Sequence, residues 1–255
     1  MIFYFSCTGN TRWAARTLAY MLGERLVFMD EASLNASPYV LEPGERLGFC
    51  FPVHGWRPPV LVRRFIGGLE VAEAAGHHCW ALCTAGDTVG EAMDIMCADL
   101  MSRGLQVGST YSLLMPETYV GLPFMDVDKP EREREKKSAA AKALDAYGAL
   151  IARRAEGEHH IVRGHWPRVN SRLIGHVFVK RLLTDKPFHV VDERCERCGR
   201  CVRACPTGAI TCKKGDMPQW SHDGRCLSCF ACYHHCPAHA ILWAKMKRGQ
   251  YVMRV

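Results

Sequence analysis

The sequence predicts an α/β chain: a doubly wound domain on a five-stranded parallel sheet, followed by a small α+β module. Three observations predict it. Residues 1–156 alternate apolar, strand-like runs with helical patterns, as strands joined by helical crossovers do. A hydroxyl-rich loop with one glycine, Ser6-Cys-Thr-Gly-Asn-Thr11, falls between the first strand and the first helix. Two cysteine runs of identical spacing stand close together near the C-terminus.

The elements follow in order. Met1–Ser6 is a short apolar strand. Arg12–Leu22 has helical spacing of Trp13, Thr17, Tyr20 and Met21. Arg25–Met29 is a second strand and Leu47–Phe51 a third, apolar on both faces. Val60–Leu69 is a helix placed after Pro58-Pro59. His78–Cys83 is a fourth strand, Thr88–Arg103 a helix and Gln106–Met115 a fifth strand. Glu131–Arg154, rich in Ala, Lys, Arg and Glu, is a long helix. Five strands with these crossovers fit the order 2-1-3-4-5. The expected divisions are 1–156 for this domain, 157–186 for a connector and 187–255 for the small module.

The cysteine runs read Cys195-Glu-Arg-Cys198-Gly-Arg-Cys201-Val-Arg-Ala-Cys205-Pro and Cys226-Leu-Ser-Cys229-Phe-Ala-Cys232-Tyr-His-His-Cys236-Pro. Both are C-x2-C-x2-C-x3-C-P, and they resemble the runs that hold cubane iron–sulfur clusters in bacterial ferredoxins. Zinc sites pair two C-x2-C units at wider separation, or one unit with histidines. Structural disulfides need an oxidising compartment, and nothing in the N-terminal residues directs export. The ferredoxin resemblance implies that the fourth thiolate of each set comes from the other run. One 4Fe-4S cluster then falls on Cys195, Cys198, Cys201 and Cys236, and the other on Cys226, Cys229, Cys232 and Cys205. Thr207–Ile210 and Ala238–Ile241 follow the two Cys-Pro pairs in parallel positions, an internal repeat. Phe188–Val191 is expected to start a strand pair that Ile241–Trp243 and Tyr251–Met253 close. The other cysteines (Cys7, Cys50, Cys79, Cys83, Cys97 and Cys212) read mostly as buried free thiols.

The loop after the first strand places Ser6, Thr8, Gly9, Asn10 and Thr11 where a helix N-terminus offers unpaired N–H groups to a phosphate. A hydroxyl helix cap with a turn glycine is the plainer explanation. The match to [S/T]-x-T-G-x-T is complete and resembles the phosphate loop of flavodoxins, which implies FMN. By the same resemblance, Pro52-Val53-His54-Gly55-Trp56 lies against one flavin face, with Trp56 stacking on the ring. Thr84-Ala85-Gly86-Asp87 then runs along the ring edge, although a helix cap at Asp87 or Thr88 competes. A Met115-Pro-Glu-Thr-Tyr119 ending and the order of parts resemble a family of flavodoxin–ferredoxin fusions found mainly in anaerobes. That family implies electron transfer, with cofactors but no substrate.

Composition bounds the rest. The 255 residues are 48% hydrophobic and 23% charged, ordinary for a globular chain. The charge is uneven: net −3 over 1–156, +4 over 157–186 and +6 over 187–255. Two oxidised clusters with their eight thiolates would lower the last value to about +2. Arg194, Arg197, Arg200 and Arg203 interleave with the ligands and can offset cluster charge. Over His165–Leu183, apolar residues at 166, 169, 173, 174, 177, 178 and 182 form a helical stripe, with Arg168, Arg172, Lys180 and Arg181 beside it. Such a helix can lie on a membrane surface; here the stripe is read as packing the connector onto a neighbouring domain. No stretch is apolar and long enough to span a bilayer. Thiols and oxygen-labile clusters imply a reducing cytoplasm. The expected role is an electron carrier between FMN, two clusters and redox protein partners, with no nucleic acid. The alternative is an FMN-dependent reductase of a small substrate fed through the clusters; no catalytic acid or base stands out for it.

Overall fold

The computed structural model describes residues 1–213 and 215–253. Its elements are β1 (Ile2–Tyr4), α1 (Asn10–Leu22), β2 (Leu26–Phe28), α2 (Glu31–Asn35), β3 (Tyr39–Val40), β4 (Leu47–Pro52), α3 (Val60–Gly68), β5 (Val71–Ala72), β6 (Cys79–Ala85), α4 (Ala92–Met101), β7 (Ser109–Leu114), α5 (Pro130–Ala152) and β8 (His159–His160). A helical run over 169–182 follows. It consists of π-helical turns Val169–Ile174 and Phe178–Leu182 around the short α6 (Gly175–Val177). The C-terminal part holds β9 (Phe188–Val190), a 3-10 turn Asp192–Arg194, α7 (Arg200–Ala204), β10 (Ile210–Thr211), β11 (Gln219–Trp220), α8 (Ala231–His234) and β12 (Ile241–Trp243).

The main sheet is ordered β2-β1-β4-β6-β7-β8, and every pairing is parallel. The expected order 2-1-3-4-5 is present in its first five strands, which makes the fold flavodoxin-like. The expectation of five strands is corrected: His159–His160, assigned to the connector, adds a sixth at the edge beside β7. Two residues without apolar alternation give too little pattern to read. The α4 helix starts at Ala92, later than Thr88, and α1 starts at Asn10, earlier than Arg12.

Period-2 alternation sends side chains to both faces of the sheet. Phe3, Phe5, Phe49, Phe51 and Cys83 meet α3 and α4 through Val62, Ile66, Met93 and Met96. Ile2, Cys50, Trp80, Leu82 and Tyr111 meet α1 and α5 through Ala14, Leu18, Ala140 and Leu144. No described helix is long and apolar enough to cross a membrane.

The C-terminal part folds around Phe188, Ile210, Phe230, Tyr233, Ile241 and Trp243. β9 pairs antiparallel with β12, and β10 with β11. Tyr251–Met253 does not join the β9–β12 pair as expected. It returns to the flavodoxin-like part, where Tyr251 and Met253 are buried in the core beneath α1 and α5.

Gly48 in β4 lies under the Trp80 indole, where an added Cβ would sit 2.3 Å from a ring carbon. Trp80 is fully buried and has no room to move. Gly48→Ala should therefore destabilise the protein by about 1–3 kcal/mol through overpacking. A urea midpoint unchanged from wild type would contradict this packing.

Candidate functional site

The two cysteine runs fold as one repeat used twice. Arg197 and Ser228, Gly199 and Phe230, and Gly208 and His239 occupy equivalent positions, and all six have positive φ between 47° and 67°. These left-handed residues curl each loop so that its thiols face inward. At Phe230 and His239 the curl is adopted by side chains with a Cβ, which carries a conformational cost that the surrounding packing must offset.

Each curled loop faces a cavity. One is lined by Cys195, Cys198, Cys201 and Cys236. The other is lined by Cys205, Cys226, Cys229 and Cys232. The four thiols of each set surround a space, and among the described residues no three such side chains close on a single-ion point. Cys212, expected outside both sets, also lines the first cavity; its thiol donates to the carbonyls of Lys213 at 3.1 Å and Asp216 at 2.9 Å.

Backbone amides point at the sulfurs. Ser228 N–H donates to Cys226 Sγ at 3.4 Å and Ala240 N–H to Cys236 Sγ at 3.3 Å. Burial pushes the metal-free Cys226 thiol up to about 12 and Cys201 up to about 11. These thiols become thiolates only where positive charge offsets the loss of water. Of the interleaved arginines, Arg203 donates to the Cys198 carbonyl at 3.2 Å and Arg197 to Gly215 O at 3.2 Å.

The three candidate flavin loops all lie at the carboxyl ends of parallel strands, beside the point where strand order reverses between β1 and β4. In the first loop, Gly9 takes φ 101° as the N-cap of α1 with no side-chain cap. Thr8, Asn10 and Thr11 are buried. Thr11 Oγ1 meets Thr84 Oγ1 at 2.8 Å, joining this loop to the end of β6. Asn10 Nδ2 donates to Pro116 O at 3.0 Å. Ser6 Oγ and Arg12 Nε are buried with no partner.

In the second loop, Pro52 ends β4, Val53 N–H donates to Thr84 O at 2.8 Å, and His54 to Arg57 close a tight turn through Gly55 (φ 56°) and Trp56 (φ 57°). Trp56 Nε1 donates to Thr88 Oγ1 at 3.0 Å. In the third, Ala85 is buried, Asp87 is exposed, and Lys136 Nζ donates to Gly86 O at 2.7 Å. The helix over 169–182 lies across the last two loops. Ser171 Oγ donates to Trp56 O at 2.9 Å and accepts from Glu91 N–H at 2.8 Å. Phe178 packs so closely on Gly55 that an added Cβ would come within 2.7 Å of its ring.

Two contacts were not legible in the sequence. Cys7, read as a buried free thiol, is half-buried in the first loop and packs, like Cys229, against the core of the main sheet. The neighbouring Cys229 and burial hold Cys7 protonated well above the ordinary thiol range, while Cys7 beside it lowers Cys229. Cys97 and Cys212 are likewise only half-buried. The second contact is the C-terminal tail on the first loop: Met253 N–H donates to Thr8 O at 2.9 Å and Tyr251 Oη to Asn10 Oδ1 at 3.0 Å.

Residues 188–211 match the family described as 4Fe-4S binding domain. No curated protein matches the chain. Similar solved structures include the rubredoxin oxygen:oxidoreductase of the anaerobe Desulfovibrio gigas, at 17% identity and TM-score 0.33 over 59% of this chain and 36% of that one. A short-chain flavodoxin associated with a bacterial microcompartment is 12% identical, with TM-score 0.32 over 58% and 96%. A flavodoxin, WrbA-like protein from Agrobacterium tumefaciens is 13% identical, with TM-score 0.31 over 61% and 97%. The chain spans about a third of the Desulfovibrio protein's length. The flavodoxin-like fold of this chain is shown by its strand order. The match to a 4Fe-4S binding domain behind that fold supports a redox or electron-transfer role.

Burial holds His54 neutral, its pKa pushed down to about 4 from 6.5. Its folded value lies below its unfolded one, so the unfolded state binds more protons between pH 6.5 and 4. Stability is unaffected by this group above pH 6.5 and falls as pH drops through that window. Going from pH 7 to pH 5 should cost about 2 kcal/mol at this residue. His54→Gln should remove that part of the pH dependence in urea titrations; an unchanged difference between the two pH values would contradict it.

Proposed function

We propose that this chain is an electron-transfer protein with two 4Fe-4S clusters in its cysteine-lined cavities and FMN at its first βα loop. It exchanges electrons with donor and acceptor proteins. The observation that carries the reading is the composition of the cavities: each is lined by three thiols of one run and the fourth of the other. A cubane exchanges single electrons and a flavin one or two, so the pairing can split or collect electron pairs. The order of parts supports a place among the flavodoxin–ferredoxin fusions of anaerobes, in a reducing cytoplasm.

The chain's own groups set the conditions. Cysteine sulfurs ligate, and the amides of Ser228 and Ala240 stabilise negative charge on them, which favours the reduced state. Cys7, in the loop that would bind the flavin phosphate, packs against the same core of the main sheet as Leu227 and Cys229, so cavity and loop share that core.

The phosphate end of FMN is assigned to the first loop, where the tail carbonyl of Met253 lies against Gly9 and would shift to admit it. The uncapped N-terminus of α1 and the unpartnered Ser6 hydroxyl are suited to an anion. The ring end is closed by the chain itself: a ring between the second and third loops would displace Phe178 and the Ser171 bridge. Binding of the ring thus entails movement of the helix over 169–182.

Anaerobically prepared protein should contain about eight iron and eight labile sulfide per chain. Cys236→Ala should damage the cluster anchored by Cys195, whose loop lies some forty residues earlier in the chain. Loss of the Cys226–Cys229 cluster instead would refute the crossed ligand sets.

For the flavin, Ser6→Ala should lower FMN affinity about tenfold, the loss of one hydrogen bond to a charged group. Phe178→Ala should raise it by opening the ring seat. Failure of both wild type and Phe178→Ala to bind FMN in a fluorescence titration would remove flavin from the proposal and leave the clusters.

A further inference from the structure

The helix over 169–182 is seated by its small residues. Ser171, Gly175 and Phe178 face inward. A Cβ on Gly175 would come within 2.3 Å of the Gly55 carbonyl oxygen, so the backbones approach as closely as glycine allows. Arg57 Nη1 donates to Ser171 O at 2.9 Å, and Ser171 Oγ bridges Trp56 and Glu91.

This seating turns the apolar stripe outward, against the expectation that it packs the connector onto a neighbouring domain. Of the stripe, only Phe178 is buried. Trp166 is 74% exposed, Leu173 63%, and Val169, Ile174 and Val177 more than 40% each. Val169, Leu173 and Val177 follow one another at four-residue spacing along the helical run, with Ile174 beside them and Trp166 just before its first turn. Contiguous apolar surface of this kind marks a contact with something else.

Charge indicates what that is. Residues 159–184 contain no Asp or Glu. Arg163 and Arg172 hold Asp94 and Glu91. Arg168, Lys180 and Arg181 are exposed beside the apolar row and form no ion pair among the described residues. A second copy would bring the same positive charge to the same patch in a two-fold contact. An anionic sheet of lipid headgroups over acyl chains matches both properties. Basic side chains reach the headgroups, apolar ones enter below them, and the Trp166 indole suits the boundary.

We propose that this face docks on an anionic lipid bilayer, with the helix lying in the plane of the interface. The proposal stands independently of the flavin reading.

The test is flotation of the anaerobically prepared, cluster-loaded full chain with phosphatidylcholine vesicles, with and without phosphatidylglycerol. Wild type should float with the anionic vesicles only, and Trp166 emission should shift to the blue, a change lost in Trp166→Phe. Replacing Arg168, Lys180 and Arg181 together by Gln should weaken binding about a hundredfold, from roughly one headgroup attraction each. Leu173→Ser with Val177→Ser should also release the protein. All these side chains are exposed, so iron content should stay at the wild-type level and report intact folding. Absence of binding to anionic vesicles, equal binding to neutral ones, or binding unchanged in both sets of variants would overturn the proposal. So would a dimer in sedimentation equilibrium that Leu173→Ser dissociates, which would give the face to a second copy.

Discussion

Met253 N–H donates to the Thr8 carbonyl and Tyr251 Oη to Asn10 Oδ1, so the end of the chain is tied to its first βα loop. Most of the functional geometry depends on this return. It brings Tyr251 and Met253 into the core beneath α1 and α5, while Leu227 and Cys229 enter the core on the other face of the sheet. The second cysteine cavity is thereby held at the carboxyl end of the parallel strands, where an open α/β sheet presents its ligand loops. Cys7 packs against the same core as Cys229. Aromatic packing adds to it: the Tyr119 ring, just past β7, lies 5.3 Å from Phe230 and 5.4 Å from Phe178, centroid to centroid.

The small module could not supply this rigidity alone. Its strands are two or three residues long, and its core is a few aromatic side chains around the cysteines. Domains of this size usually need a metal or another staple to be stable. The cavities offer eight thiols for that purpose, and the sheet offers a platform. Desolvated thiols and left-handed side-chain residues at the loops are conformationally and electrostatically costly without metal. That cost is expected where function, and not stability, selects the sequence.

What was legible in the sequence divides along physical lines. Fixed cysteine spacing reports local curl, while the crossing of the fourth cysteine was implied only by the ferredoxin resemblance; the two cavities gather the same residues. Apolar runs reported five of the six strands of the main sheet and their order. His159–His160 was not readable, because two residues carry no period. The tail was misread because Tyr251–Met253 has strand-like composition, and only tertiary context decides its partner. The connector shows the deeper limit. Periodicity located an apolar stripe but could not say which side meets protein. The inward side was chosen by Ser171 and Gly175, which permit close backbone approach, a signal invisible to hydrophobicity. The candidate flavin loops do lie at the strand ends, but Phe178 and Ser171, which cover two of them, lie more than eighty residues away in sequence, and no local motif announces them.

On the proposed reading, the packing at the first loop would make the two parts one relay. The most direct test is rapid one-electron reduction of dilute, fully loaded protein, following cluster and flavin absorbance separately. A relay gives an internal phase whose rate does not change with protein concentration. Flavin reduction that appears only as a bimolecular process between molecules would contradict the relay and leave two independent carriers on one chain.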